Sequence, residues 1–250
     1  MIHYHGSPIS GSEFSQLAFA GKHAMVSHAG PDNIDLISEV CQSFVLDNGA
    51  FSNWKSGKAF DFGKYAAFVD HWARHPACDW YVIPDVIDGT EQENKDMRTR
   101  WANAVDSSIY RKGVPVWHLN ESLSILGTLV EQFPMVAFGS AGDFATVGDM
   151  KWWSRMAAAM EFCADTEGRP LTKLHGLRML DPDVFTHLPL SSADSTNVAR
   201  SAGMDARWIG PYAPASRKTR ALLMMERIET HASAKRWAKE RGFRNWELFG

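Results

Sequence analysis

Residues 43–52 read SFVLDNGAFS. Three apolar residues, Phe44, Val45 and Leu46, carry the chain to a carboxylate, Asp47, and a glycine turn follows at once. A short run that is apolar without alternation marks a strand covered on both faces, as in a parallel sheet. The pattern returns in residues 190–195, LSSADS, where Asp194 closes a run of small residues. Similar runs occupy residues 2–5, 23–28, 80–85, 114–118, 135–140 and 173–179, which makes eight with 43–47 and 190–194. The spacers 60–74, 91–111, 123–132 and 151–164 place apolar residues three and four apart, the period of a helix. Eight strand and helix units in about 200 residues predict a (β/α)8 TIM barrel. No G-x-G-x-x-G follows the first strand, which argues against a doubly wound open sheet. The chain therefore reads as one domain, residues 1–250. Its barrel spans about 1–205, and after the proline-rich crossing RWIGPYAPA at 207–215 a helical extension over about 216–250 packs on the barrel.

Of the 250 residues, 45% are hydrophobic and 22% charged, enough apolar material for a real core. A formal net charge of −3 gives no global electrostatic footprint for nucleic acid. Basic residues concentrate late, at Arg217, Lys218, Arg220, Arg227, Lys235, Arg236, Lys239, Arg241 and Arg244, and exceed the acids around them. Cys41, Cys78 and Cys163 are odd in number, far apart and without a CxxC pair. Neither a disulfide framework nor a cysteine zinc site is expected, and a reducing, cytoplasmic location fits. The opening MIHYHGSPISG lacks the layout of a signal peptide, and no apolar run approaches the ~20 residues that span a bilayer.

The C-terminal ends of barrel strands converge on one mouth, where barrel enzymes keep their sites. Those ends supply His5, His28, Asp47, Asp85 or Asp88, His118, Ser140, His175 and Asp194, a mixture suited to catalysis. Two chemistries are open. His3-Tyr-His5 is an HxH pair whose side chains share one face of the first strand. With His118 and Asp194 it would complete the metal site of a TIM-barrel hydrolase resembling the amidohydrolases. The other chemistry needs only carboxylates. Plainer roles also fit: Asp47 closing an Asx-turn before Gly49, Asp194 capping a helix, Asp85 capping a turn behind Pro84. An inert nucleic-acid-binding barrel is the third class.

Four segments carry a resemblance. LDNGAFSNW (46–54) resembles the DSGGFQ segment of the tRNA-guanine transglycosylase superfamily, with Asp47 at the leading acid. AFGS (137–140) is similar to that family's glycine turn on strand six, and LHGL (174–177) to the strand-seven segment beside the base pocket. SSADSTNVARSAG (191–203) resembles the nucleophile segment, most closely that of relatives that insert 7-deazaguanines into DNA. The four keep the family's order and cover about residues 43–203. The resemblance implies Asp194 as nucleophile, Asp47 as acid/base, and Asp85 or Asp88 reading the base edge. It implies further that Asn48, Phe51, Gly139, Ser140, His175 and Gly176 surround the base, with Phe51 and His175 as walls of a stacking sandwich. No metal or organic cofactor is implied.

Departures move the expected substrate from tRNA to DNA. The Cys/His zinc ligands of the tRNA enzymes are missing, and Asn48, Ala50 and Ser52 stand where serine, glycine and glutamine are commoner. Arg200, Arg217, Lys218 and Arg220 are candidates for gripping the flanking phosphates. Trp54 and Trp117 lie beside expected mouth loops. Association into a homodimer is left open.

Overall fold

The computed structural model describes residues 1–7, 12–201 and 214–238. All eight expected runs form strands of one parallel sheet, and the fifth is split in two. The strands are β1 (Ile2–Gly6), β2 (His23–Ser27), β3 (Ser43–Asp47), β4 (Cys78–Val82), β5 (Gly113–Val114), β6 (Val116–His118), β7 (Met135–Gly139), β8 (Lys173–Gly176) and β9 (Ser192–Ser195). Neighbours run in the order β5-β4-β3-β2-β1-β9-β8-β7-β6. Pro115 causes the split, because it has no N–H to give to a ladder. Before it, β5 pairs with β4 through Val82↔Val114; after it, β6 pairs with β7 through Val116↔Ala137. Nine strands thus make eight staves, and the chain itself closes the barrel across Pro115.

Helices wrap the outside: α1 (Ser12–Phe19), α2 (Ile34–Val40), α3 (Ala50–Lys55), α4 (Phe62–Trp72), α5 (Glu91–Ala104), α6 (Ser107–Tyr110), α7 (Leu123–Gln132), α8 (Met150–Cys163), α9 (Pro182–Phe185), α10 (Asn197–Ser201) and α11 (Arg217–Glu229). Several start where side chains satisfy the first free N–H groups. Asp61 accepts from Lys64 N, Asp149 accepts from Trp152 N, and Thr90 with Glu93 forms a full capping box on α5. The expected C-terminal extension begins as α11, whose Glu229 reaches His5 on the outer face of β1. That helix packs on β1, and its Glu226 and Glu229 also hold Lys22 just before β2. Residues 239–250, with Lys239, Arg241 and Arg244, lie outside the described residues.

Strand alternation separates two cores. Outward residues such as Phe44, Leu46, Tyr81, Val136, Phe138 and Leu174 pack beneath the helices. Tyr4, Met25, Val45, Trp80, Val82, Val114, Val116 and Ala137 fill the barrel's interior. The interior is a packed plug, so chemistry is confined to its upper end. Among the described residues no helix is long and apolar enough to cross a membrane.

Candidate active site

A cavity of about 680 Å³ opens at the C-terminal ends of the staves. Asp47, Asp85, His118, Gly139, Ser140, Arg178 and Asp194 all line it, with Asn48, Phe51 and Lys55 from the segment after β3. Each acid is held differently.

Asp47 ends β3, and the DNG turn that follows folds back beneath it. Gly49 has φ 74°, and a Cβ there would lie 2.8 Å from the Ala29 Cβ, so only glycine fits on both counts. Its N–H donates to Asp47 Oδ2 at 3.2 Å. Burial pushes the Asp47 carboxyl up to about 6; the Ser27 hydroxyl opposes this, and the charges of Asp194 and Asp85 add to it. Asp47 is the acid able to exchange a proton near neutrality. The Asx-turn also forms, so the plain structural role and the chemical one coexist.

Asp194, 5% exposed, sits inward on β9. Its Oδ1 accepts from the Arg178 backbone N–H at 3.0 Å and meets His175 Nε2 at 3.2 Å. Arg178 holds a left-handed φ of 61°, uncommon for a residue with a side chain and a conformation that clusters at functional sites. Its guanidinium lies 4.1 Å over the Phe51 ring and donates to the Ser140 carbonyl at 2.7 Å. Sequence patterns gave no sign of Arg178. Arg178 falls within the strand run expected over 173–179, but the strand ends at Gly176 and leaves Arg178 in the turn behind it.

Asp85 and His118 form a buried pair. Asp85 Oδ2 lies 2.8 Å from His118 Nε2, and Oδ1 accepts from Asn48 Nδ2 at 2.5 Å. Burial disfavours the imidazolium, but the Asp85 bond and charge outweigh it and hold the His118 pKa above its ordinary value. Gly139 makes room for this ring: a Cβ there would stand 2.9 Å from His118 Nδ1. Asp88 is exposed and outside the cavity, so of the two candidates Asp85 is the one at the mouth.

Several expected mouth residues lie elsewhere. His5 points outward from β1 to Glu229 at 2.9 Å, and His3 donates to the His231 carbonyl at 3.0 Å. The HxH pair does share a face, but it is the outer one, since Tyr4 takes the interior. His3 and His5 therefore never meet His118 and Asp194. Among the described residues no group of three His, Cys, Asp or Glu side chains is placed to hold a metal ion. His28 packs against Tyr65 and Phe68 under the helices. His175 is inward but fully buried, one layer below the cavity, and so forms no wall of a base sandwich. Gly176 faces out, where a Cβ would meet Met179 at 2.8 Å.

Trp117 is buried in the outer core, its indole N–H bonded to the Ser122 carbonyl. Trp54 is 51% exposed on α3 beside the cavity. Arg217 donates to the Ala199 carbonyl at the rim, and Lys218 extends over Phe14. The Arg200 side chain lies outside the described residues. No family model, curated protein or solved structure matches the chain.

Proposed function

We propose that the chain is a transglycosylase that exchanges a guanine base in DNA for a 7-deazaguanine derivative. The observation that carries this is the pairing, in one cavity at the barrel mouth, of Asp47 raised to about 6 with Asp194 fixed by hydrogen bonds on one oxygen. Two carboxylates of unlike character are what double displacement at an anomeric carbon needs.

Asp194 attacks C1′ of the target nucleotide, a C1′–O bond forms, and the C1′–N9 bond breaks with its electron pair going to the base. Protonated Asp47 gives its proton to a ring nitrogen of the departing guanine. The incoming base loses its N9 proton to the Asp47 carboxylate as N9 attacks C1′, and Asp194 leaves as carboxylate. Protons and charge return to their starting state, so turnover needs no redox partner.

Asp85 and Asn48 supply the polar edge for the base. Both Asp85 oxygens already hold a partner, but each keeps a second lone pair for a base N–H. The Phe51–Arg178 stack gives a flat flank. DNA as substrate rests on the likeness of SSADSTNVARSAG to the DNA-acting relatives. The target must leave the base stack to enter, at a cost of a few kcal/mol that phosphate contacts from Arg217 and Lys218 help offset. The test is exchange of labelled guanine into a guanine-containing DNA oligonucleotide. Wild-type protein incorporates label and Asp194→Ala does not; equal incorporation by both would refute the assignment.

A further inference from the structure

Beneath Asp194 lies a buried pair of side chains that base exchange has not yet used. Ser192 and Asp194 are two residues apart on β9, so both face inward, and His175 is the register partner of Ser192 on β8. Its imidazole spans the two. His175 Nδ1 is 2.8 Å from Ser192 Oγ, and Nε2 is 3.2 Å from Asp194 Oδ1. His175 is 0% exposed and Ser192 is 1% exposed. The ring is braced by Trp80 at 4.7 Å and Tyr4 at 6.1 Å between centroids.

The chemistry orders the protons. A nucleophilic carboxylate is ionised and only accepts hydrogen bonds, so Nε2 must carry the proton toward Asp194. In a neutral ring Nδ1 is then an acceptor, and the Ser192 hydroxyl is the donor that fixes that tautomer. With the Arg178 N–H also on Oδ1, both contacts fall on one oxygen.

We infer that Ser192 and His175 form a buried positioning relay that anchors Asp194 through Oδ1 and presents Oδ2 as the oxygen that attacks C1′. This rests on the base-exchange assignment and extends it to which oxygen reacts and why. His175 touches no substrate; it acts through Asp194. The arrangement resembles a Ser-His-Asp triad in composition only, because here the serine is buried and the carboxylate faces the cavity.

Two measurements test it. In the first, single-turnover formation of a covalent adduct is followed on a guanine-containing DNA oligonucleotide, alongside the affinity for that oligonucleotide. His175→Phe keeps the ring volume but loses the bond, and slows adduct formation about tenfold to a hundredfold, the worth of one bond to a charged group. Its affinity for the oligonucleotide stays within about twofold of wild type, since binding energy away from the reacting atoms is untouched. His175→Gln restores a donor near the Nε2 position and recovers most of the rate. A wild-type rate in His175→Phe, or a His175→Gln variant as slow as His175→Phe, would overturn the relay.

In the second, ring ¹⁵N shifts of His175 in the wild-type chain report the Nε2–H tautomer, and Ser192→Ala turns it into a mixture. An Nδ1–H tautomer in wild type would overturn the relay whatever the activity. A wild-type chain that forms no adduct would instead remove the exchange assignment, and the tautomer alone would then decide the positioning role.

Discussion

The mouth of the barrel and the outer clasp on β1 are built from the same residue types and behave in opposite ways. At the clasp, Glu229 accepts from His5 at 2.9 Å and from Lys22 at 2.5 Å. Burial works against its charge, but those two partners pull its pKa down to about 2. At the mouth, the Ser27 hydroxyl and the Gly49 N–H oppose burial at Asp47, and two neighbouring acids add to the rise. At the clasp cationic partners outweigh burial; at Asp47 burial and neighbouring acids outweigh the donors. The clasp ties α11 to the first stave and adds stability. The mouth keeps an acid poised near neutral pH at a cost in stability, the usual compromise of a functional site.

The sharpest break in that contrast comes from Asp194→Asn, which leaves the outer clasp untouched. Base exchange should fall about a thousandfold or more, measured by label incorporation into DNA. Asp47→Asn should lower exchange about a hundredfold to ten-thousandfold, the span of general acid/base contributions. The same change should raise stability. The Asp47 pKa in the folded protein lies above its ordinary 3.8, so the ionised form is penalised by folding. The penalty is absent below pH 3.8, grows as pH rises through 6, and then stays. Urea unfolding at pH 8 should show Asp47→Asn more stable by about 2–3 kcal/mol, with the gain gone near pH 3.5.

Glu229→Gln should do the reverse. Its folded pKa is depressed from 4.5, so its contribution is full above pH 4.5 and fades as pH falls toward 2. Unfolding at pH 7 should show a loss of about 1–3 kcal/mol, with exchange activity unchanged at temperatures where the variant is folded. Smallest of all, Arg217→Ala or Lys218→Ala should weaken DNA binding about two- to fivefold at low salt. Each should also reduce the salt slope by about one unit, read from titrations at several salt concentrations.

The two regions also explain what the sequence could reveal. Strand runs were legible because each stave is covered on both faces and so reads as continuous apolar residues. Pro115 split one stave without hiding it. Asp47 and Asp194 were legible because each closes such a run. Position along a strand does not give the face, and so does not place His5: Tyr4, its neighbour, fills the barrel, which turns His5 toward α11. His175 faces the right way but sits one layer too deep, a depth set by stagger between staves. Arg178 left no pattern, since its hold on Asp194 depends on a left-handed backbone and an N–H that every residue but proline carries.

The most direct measurement is peptide mapping by mass spectrometry after a guanine-containing DNA oligonucleotide is mixed with the protein and quenched in denaturant. A deoxyribosyl adduct on Asp194, absent from Asp194→Ala and still formed by Glu229→Gln, is the predicted result. An adduct on Asp47, or none on any residue of an active wild-type chain, would contradict the division of labour between the two acids.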